Sequence, residues 1–348
     1  MLSLGGCYQS IVTGEDAGVA ADLPAATTIA GLSAGDSHSC LLLTTGRVVC
    51  WGHRLDARAW PADVVGDALF DGSCVARRGG GSVCGAALGP VAFALEALTL
   101  LGAGGTGPRS VVAGGGRGLS SAGDGFFVAA TGAVAVAAGR AHQCLLDAAG
   151  QVRCRGENLA GQCGQPPSAF VERFTEVPGL GAVEAIAAGG EHTCALAAGR
   201  VRCWGRRAEG ELGDGRLDLP ATCGIGASLF ACTHAPREVT GIRDAEEVAA
   251  GQFHTCVRRA GGEVSCFGSD AFNRLGLAGE APDLCGEAPC SGRPLPVDRV
   301  TNARHLSAGR FHTCAASARE VRCWGSGAGA VLGEYFLEVG ELEARLDL

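Results

Sequence analysis

The stretch "EHTCALAAGRVRCWG" (Glu191–Gly205) decides how this chain is read. A His stands two residues before a Cys, a second Cys follows nine residues later, and Trp-Gly closes the stretch. Such a pattern admits a metal site, a redox site or a staple. A Cys-x-x-Cys pair of the disulfide-exchange kind is absent from it. A zinc site needs four converging ligands, and a facing Cys pair supplies two. The choice is made by the copies of this stretch elsewhere in the chain.

"AGDSHSCLLLTTGRVVCWG" (Ala34–Gly52), "AGRAHQCLLDAAGQVRCRG" (Ala138–Gly156), "AGQFHTCVRRAGGEVSCFG" (Ala250–Gly268) and "AGRFHTCAASAREVRCWG" (Ala308–Gly325) repeat it. "DGSCVARRGGGSVCG" (Asp71–Gly85) is a weaker copy without the His, and Val111–Gly132 reads as a copy that has lost both Cys. An apolar residue precedes the Gly of each "AG" by three (Leu32, Val136, Ile186, Val248, Leu306), as expected of a strand entering in fixed register. The Cys spacing then follows from hairpin geometry. In Cys40/Cys50, Cys74/Cys84, Cys144/Cys154 and Cys256/Cys266 the centred three-residue loop ends on Gly46, Gly80, Gly150 and Gly262, where a left-handed residue is required. Cys194/Cys203 and Cys314/Cys323 are one residue closer, and their centres are two-residue loops at 198–199 and 318–319. Turn length tracks Cys register, which a zinc site would not need. Directly opposed strand positions lie within disulfide reach. The sequence therefore predicts stapled β-hairpins. The recurrent His38, His142, His192, His254 and His312 are expected to bond backbone within their own units, as scaffold.

Bulk composition agrees. Eighteen Cys exceed what a reducing compartment tolerates without metal, so an extracytoplasmic location (secreted, periplasmic or outer surface) is expected. Net charge is −8, which argues against nucleic acid as a partner. All 28 basic residues are Arg, so lysine chemistry is excluded. No apolar run reaches membrane-span length. Abundant Gly (57) with few aromatics suits many short strands and tight turns.

These units resemble the repeats of the regulator of chromosome condensation family. The carriers are "AG-x-x-H-T/S-C", the Gly turn, "V-x-C-W-G", and the Gly-rich segments "GENLAGQCG" (Gly156–Gly164), "GRRAEGELGDG" (Gly205–Gly215) and "GSDAFNRLG" (Gly268–Gly276). The resemblance implies an all-β fold: a propeller of four-stranded antiparallel blades, seven expected, with six or an irregular ring as the alternative. It covers Ile29 to about Gly333, with residues 29–348 as a single propeller and 1–28 as an N-terminal segment, a candidate ring-closing strand. The paired Cys look like the exported bacterial branch of these repeats.

Two motifs mimic chemistry. "GLSAG" (Gly31–Gly35) matches a nucleophile elbow but lies on the repeat's own strand. "GAGGTG" (Gly102–Gly107) matches a dinucleotide fingerprint but runs directly into a β unit. No catalytic centre, cofactor or metal is expected. Function is placed on two insertions, residues 214–237 and 277–296, each with its own Cys pair (Cys223/Cys232 and Cys285/Cys290). Arg216, Arg237, Arg293 and Trp60 are the candidate binding residues; Trp51, Trp204 and Trp324 are expected to pack between blades. The reading is a monomeric, non-catalytic protein-binding or surface propeller with a protein partner on one face. The alternative is an enzyme regulator, a nucleotide-exchange factor or an inhibitor-like propeller. After eight Cys pairs, Cys7 and Cys163 remain. "LGGC" (Leu4–Cys7) fits a lipoprotein cleavage site, which makes Cys7 a candidate lipidation site and the one route to a membrane. The rivals are a ninth disulfide to Cys163, or chance.

Overall fold

Each repeat opens on a strand of small side chains, such as Ala133–Ala138 ("AVAVAA") and Ala185–Ala188 ("AIAA"). Small residues suit a strand crowded against its equivalents around a common axis. In the computed structural model, residues 27–35, 38–45, 133–217, 223–225, 228–279 and 281–326 are described, with backbone alone at 38, 40, 225 and 228. Backbone alone is also described for the strands at 48–52, 66–70, 74–77, 82–84, 110–113, 117–122, 125–128 and 337–338. These residues are all β and turn, with no helix.

The chain is a β-propeller. Each repeat forms an antiparallel sheet of consecutive strands. Those of units 4 to 7 start at Ala133, Ala185, Ala245 and His305 and have at least four strands; units 1 to 3 have three described strands each. The copy at Val111–Gly132 contributes strands Ser110–Ala113, Arg117–Ala122 and Gly125–Val128. Burial falls outward within a sheet. His142–Asp147 is buried along five of six positions, whereas the outermost strand Ser168–Glu176 is exposed or half-buried throughout.

Neighbouring sheets are joined at their inner edges by backbone hydrogen bonds of one kind. Arg140 N donates to Gly190 O (3.4 Å), Gly190 N to Gly251 O (3.2 Å), and Gln252 N to Arg310 O (3.0 Å). Arg310 N donates to Gly35 O (3.3 Å), so the last unit meets the first in the same way. Ile29 N to Ala318 O (2.7 Å) and Ala34 N to Ser307 Oγ (2.9 Å) complete that seam. The ring-closing role expected of residues 1–28 lies almost wholly outside the described residues.

Turn geometry agrees with the Cys spacing. Cys144 faces Cys154, and the loop before the return strand ends on Gly150 at φ 80°. Cys256 faces Cys266, with Gly262 at φ 81°. In unit 5, Ala197 faces Arg200, and both loop residues, Ala198 (φ 49°) and Gly199 (φ 72°), are left-handed, as a two-residue hairpin of the primed kind demands.

The core lies between sheets. Leu196, Val201 and Leu212 of unit 5 pack with Val248, Val257 and Phe267 of unit 6; Val264, Leu275 and Val297 of unit 6 pack with Leu306 and Trp324 of unit 7. Trp204 Nε1 donates to Gln162 O (2.9 Å) and Trp324 Nε1 to Arg274 O (3.0 Å), each reaching the preceding unit's Gly-rich segment.

Candidate functional site

The rings of His142, His192 and His254 do not bond backbone in their own units; each reaches forward to the next one, and the His38 side chain lies outside the described residues. His142 Nε2 lies 2.8 Å from Thr193 Oγ1, His192 Nε2 2.9 Å from Thr255 Oγ1, and His254 Nε2 2.7 Å from Thr313 Oγ1. His312 Nε2 lies 2.8 Å from Ser39 Oγ, closing the same chain of contacts across the seam. Thr193 and Thr255 in turn donate to Gln162 O and Glu211 O, both at 2.9 Å. Their hydroxyl protons are thereby used, so His142 and His192 donate from Nε2, as a neutral imidazole with its proton there does. Burial agrees, holding His142 down to about 4 and His192 and His254 down to about 3. The Gly of each "AG" leaves room for its own unit's imidazole: a Cβ on Gly139, Gly189, Gly251 or Gly309 would run into that ring. Among the described residues no group of three His, Cys, Asp or Glu could hold a metal.

Strands alternate in direction, so the first-to-second and third-to-fourth strand connections share one end of the propeller. Position by position, Gln162, Glu211 and Arg274 are equivalents in the Gly-rich segments of units 4, 5 and 6, and all three are buried. Gln162 Oε1 accepts from Ala160 N and Glu211 Oε2 from Glu209 N, each at 2.9 Å and two residues back. Arg274 has no acceptor to offer. Asn273 (φ 56°) is left-handed like its equivalents Gly161 (φ 76°) and Gly210 (φ 83°), but in this unit Phe272 (φ 63°) is left-handed as well and stands 73% exposed.

The charges at this end differ by sector. In units 4 and 5, Arg140 pairs with Glu191 (2.5 Å) and Glu157 (3.4 Å). Arg206 pairs with Glu209 (3.0 Å), Glu211 (3.2 Å) and Glu191 (3.5 Å). Burial, and then Glu209, push the Glu211 carboxyl up to about 7 against the pull of Arg206. In units 6 and 7 aromatic rings replace carboxylates: the Arg274 guanidinium lies 5.0, 5.6 and 5.9 Å from the ring centres of Phe311, Phe272 and Phe253.

Comparison with known proteins agrees with this geometry. The regulator of chromosome condensation (RCC1) repeat model matches residues 29–53 and 246–274. These two stretches carry the regulator of chromosome condensation repeat. Solved propellers share the fold. Yeast RCC1 (Prp20), seen bound to Kap60, is 17% identical with a TM-score of 0.56 over 89% of this chain and 73% of that one. Human WBSCR16 is 18% identical with a TM-score of 0.56, over 89% and 81%. The ectodomain of the Physcomitrella patens receptor kinase CR4 is 17% identical with a TM-score of 0.56, over 86% and 75%. No curated protein sequence is matched by the chain.

On these repeats the two insertions rise from the end just described, since both lie in third-to-fourth strand connections. Cys223–Ile225 pairs with Ser228–Phe230 as a separate hairpin, and Asp283–Cys285 pairs with Ala288–Pro296. Cys223–Cys232 and Cys285–Cys290 are bonded, each with Cα atoms 5.9 Å apart. Leu229 (56%) and Leu284 (70%) stand exposed on these hairpins. Gly215 N donates to Gly292 O (2.8 Å), which brings the neighbouring Arg216 and Arg293, both exposed, onto adjoining backbone. Arg237, also exposed, lies instead on the outer strand opposite Cys203. Cys144–Cys154, Cys194–Cys203, Cys256–Cys266 and Cys314–Cys323 are bonded too. Register places Cys40 opposite Cys50 and Cys74 opposite Cys84, but their side chains lie outside the described residues. Trp60 and Cys7 also lie outside them. Cys163 is free and buried among the described residues, its thiol pushed up to about 12 by burial and Glu157. Sequence reasoning missed the Arg274 cluster, although "FNR" against "GQ" and "GE" at matched positions marks it.

Proposed function

We propose that the protein is a non-catalytic, extracytoplasmic protein-binding propeller whose working end is the one bearing the two hairpins. The carrying observation is that adjacent units each present an exposed Leu on a disulfide-closed hairpin at the same end. Such anchors are pre-ordered, so less conformational entropy is lost on docking. Six bonded Cys pairs with one free thiol among the described residues support an oxidising compartment. Yeast RCC1, which shares this fold, is itself seen bound to a protein, Kap60. The experiment is site-specific photo-crosslinking in the source cell from Leu229 and Leu284, with Arg243 at the opposite end as control. The same partner captured from both hairpins, and not from Arg243, is the expected result. Capture from Arg243 alone overturns the assignment of the end.

A further inference from the structure

We propose that the surface between units 6 and 7 at this end accepts an acidic segment of the partner protein: a carboxylate flanked by an apolar side chain. The inference rests on reading this end as the docking end. At this end of units 4 and 5 the guanidinium groups of Arg140 and Arg206 are saturated. Arg140 and Arg206 share Glu157, Glu191, Glu209 and Glu211. Between units 6 and 7 the cations persist without an ion-paired carboxylate, although Asp270 and Glu209 lie near enough to act on the charge of Arg274. Arg310, the equivalent of Arg140, donates its Nε–H to Gln252 Oε1 (2.7 Å) and stacks 4.9 Å from the Phe311 ring centre. Arg274 stacks on the same ring at 5.0 Å. Neither has a carboxylate within ion-pair distance among the described residues. Arg274 is only 6% exposed; its one described polar contact is Nη1 to Ser269 Oγ (3.3 Å), and its Nε is buried without a partner.

A buried cation lacking an ion pair is costly, and aromatic faces offset part of that cost. The buried Arg274 and the half-buried Arg310, stacked about the one Phe311 ring, form a positive sector on a chain of net charge −8. A carboxylate arriving there meets the half-buried Arg310 directly and the field of Arg274 beneath it. The exposed Phe272 ring, 5.6 Å from Arg274, is placed to cover an apolar neighbour of that carboxylate. Planar guanidinium donors fit carboxylates in geometry as well as charge.

The test is fluorescence polarisation of the whole protein with a labelled hexapeptide of alternating Asp and Phe, against the same peptide with Asn for Asp. It needs neither natural partner nor hairpins, so its failure and failure of the hairpin crosslinks are separable. The Asp peptide is expected to bind, weakening with salt, and the Asn peptide roughly tenfold less tightly, the worth of about one charge-assisted contact. Arg310→Gln is expected to cost roughly tenfold and Phe272→Ala several-fold. Both residues lie at the surface, and Arg243→Gln at the far end should change nothing. Absence of binding up to about 1 mM, equal affinity for both peptides, or indifference to Arg310→Gln and Phe272→Ala overturns the proposal.

Discussion

Replacing Thr255 by Val tests the inter-unit histidine contacts with almost no change of shape. The Thr255 hydroxyl faces His192 Nε2 at 2.9 Å and donates to Glu211 O at 2.9 Å, and it is fully buried. Val keeps the volume and removes both bonds. The Nε2–H of His192 is then an unpaired buried donor, worth about 1–3 kcal/mol, and the bond to the Glu211 carbonyl adds about 0.5–1.5 kcal/mol. Thr255→Val is therefore expected to destabilise by about 2–4 kcal/mol. Thr255→Ser keeps both bonds and loses one methyl, at about 1 kcal/mol. Equilibrium urea unfolding followed by circular dichroism measures both, with Thr175→Val on an exposed strand as control. If Thr255→Val falls within about 0.5 kcal/mol of the parent, or Thr255→Ser costs as much as Thr255→Val, the contact does not couple the units as argued.

The same histidines set the response to acid. His142, His192 and His254 titrate near 4, 3 and 3 when folded, below the ordinary value of 6.5. The unfolded chain thus takes up protons first, so stability is full above about pH 6.5 and falls toward pH 3, by up to about 1.4 kcal/mol per pH unit per histidine. Glu211, raised to about 7, acts oppositely between about pH 7 and 4.5. His305 and Asp244, both lowered, act with the histidines, and Glu247 and Asp270, both raised, act with Glu211. The deep shifts of the three buried histidines leave a net loss, and denaturant midpoints that hold steady from pH 7 to 4 would refute it. Removing the Cys194–Cys203 bond by a double Ser substitution should cost at most about 2.7 kcal/mol, the chain-entropy value for so short a loop, read in the same unfolding assay. Native protein should leave Cys163 unlabelled by iodoacetamide until it unfolds, since the thiol is buried and its titration lies near 12. Gly251→Ala should destabilise by about 3 kcal/mol or more, because the added methyl meets the His254 ring; a thermal scan checks it.

The staples were legible because a disulfide needs its two Cys opposed, and opposition ties Cys spacing to turn length, which is local. The histidines were misassigned because their partners lie 51 to 63 residues on for the three forward contacts, in the next repeat. A signal for them did exist. A Ser or Thr follows the His in units 1, 5, 6 and 7 (Ser39, Thr193, Thr255, Thr313), and each of these units is preceded around the ring by one with a His. Unit 4 has Gln143 there, and the copy before it has no His. The pairing is visible only across unit boundaries, whereas the reading went along each unit.

The repeated positions are therefore scaffold, and specificity is to be sought where copies diverge. Gln162, Glu211 and Arg274 occupy one position in three successive blades. The first two satisfy the same backbone N–H, so exchanging them changes charge and little else. Arg274 cannot satisfy it, and this copy differs in three further ways: one more left-handed residue, Phe272, the exposure of that Phe, and a cation held by rings. A scaffold optimised for its own stability gains nothing by that exchange, since an amide or carboxylate in place of Arg274 would restore the brace and relieve the backbone. Strain kept at one copy, at the end that also carries both insertions, is what a binding site requires when its scaffold is otherwise repetitive.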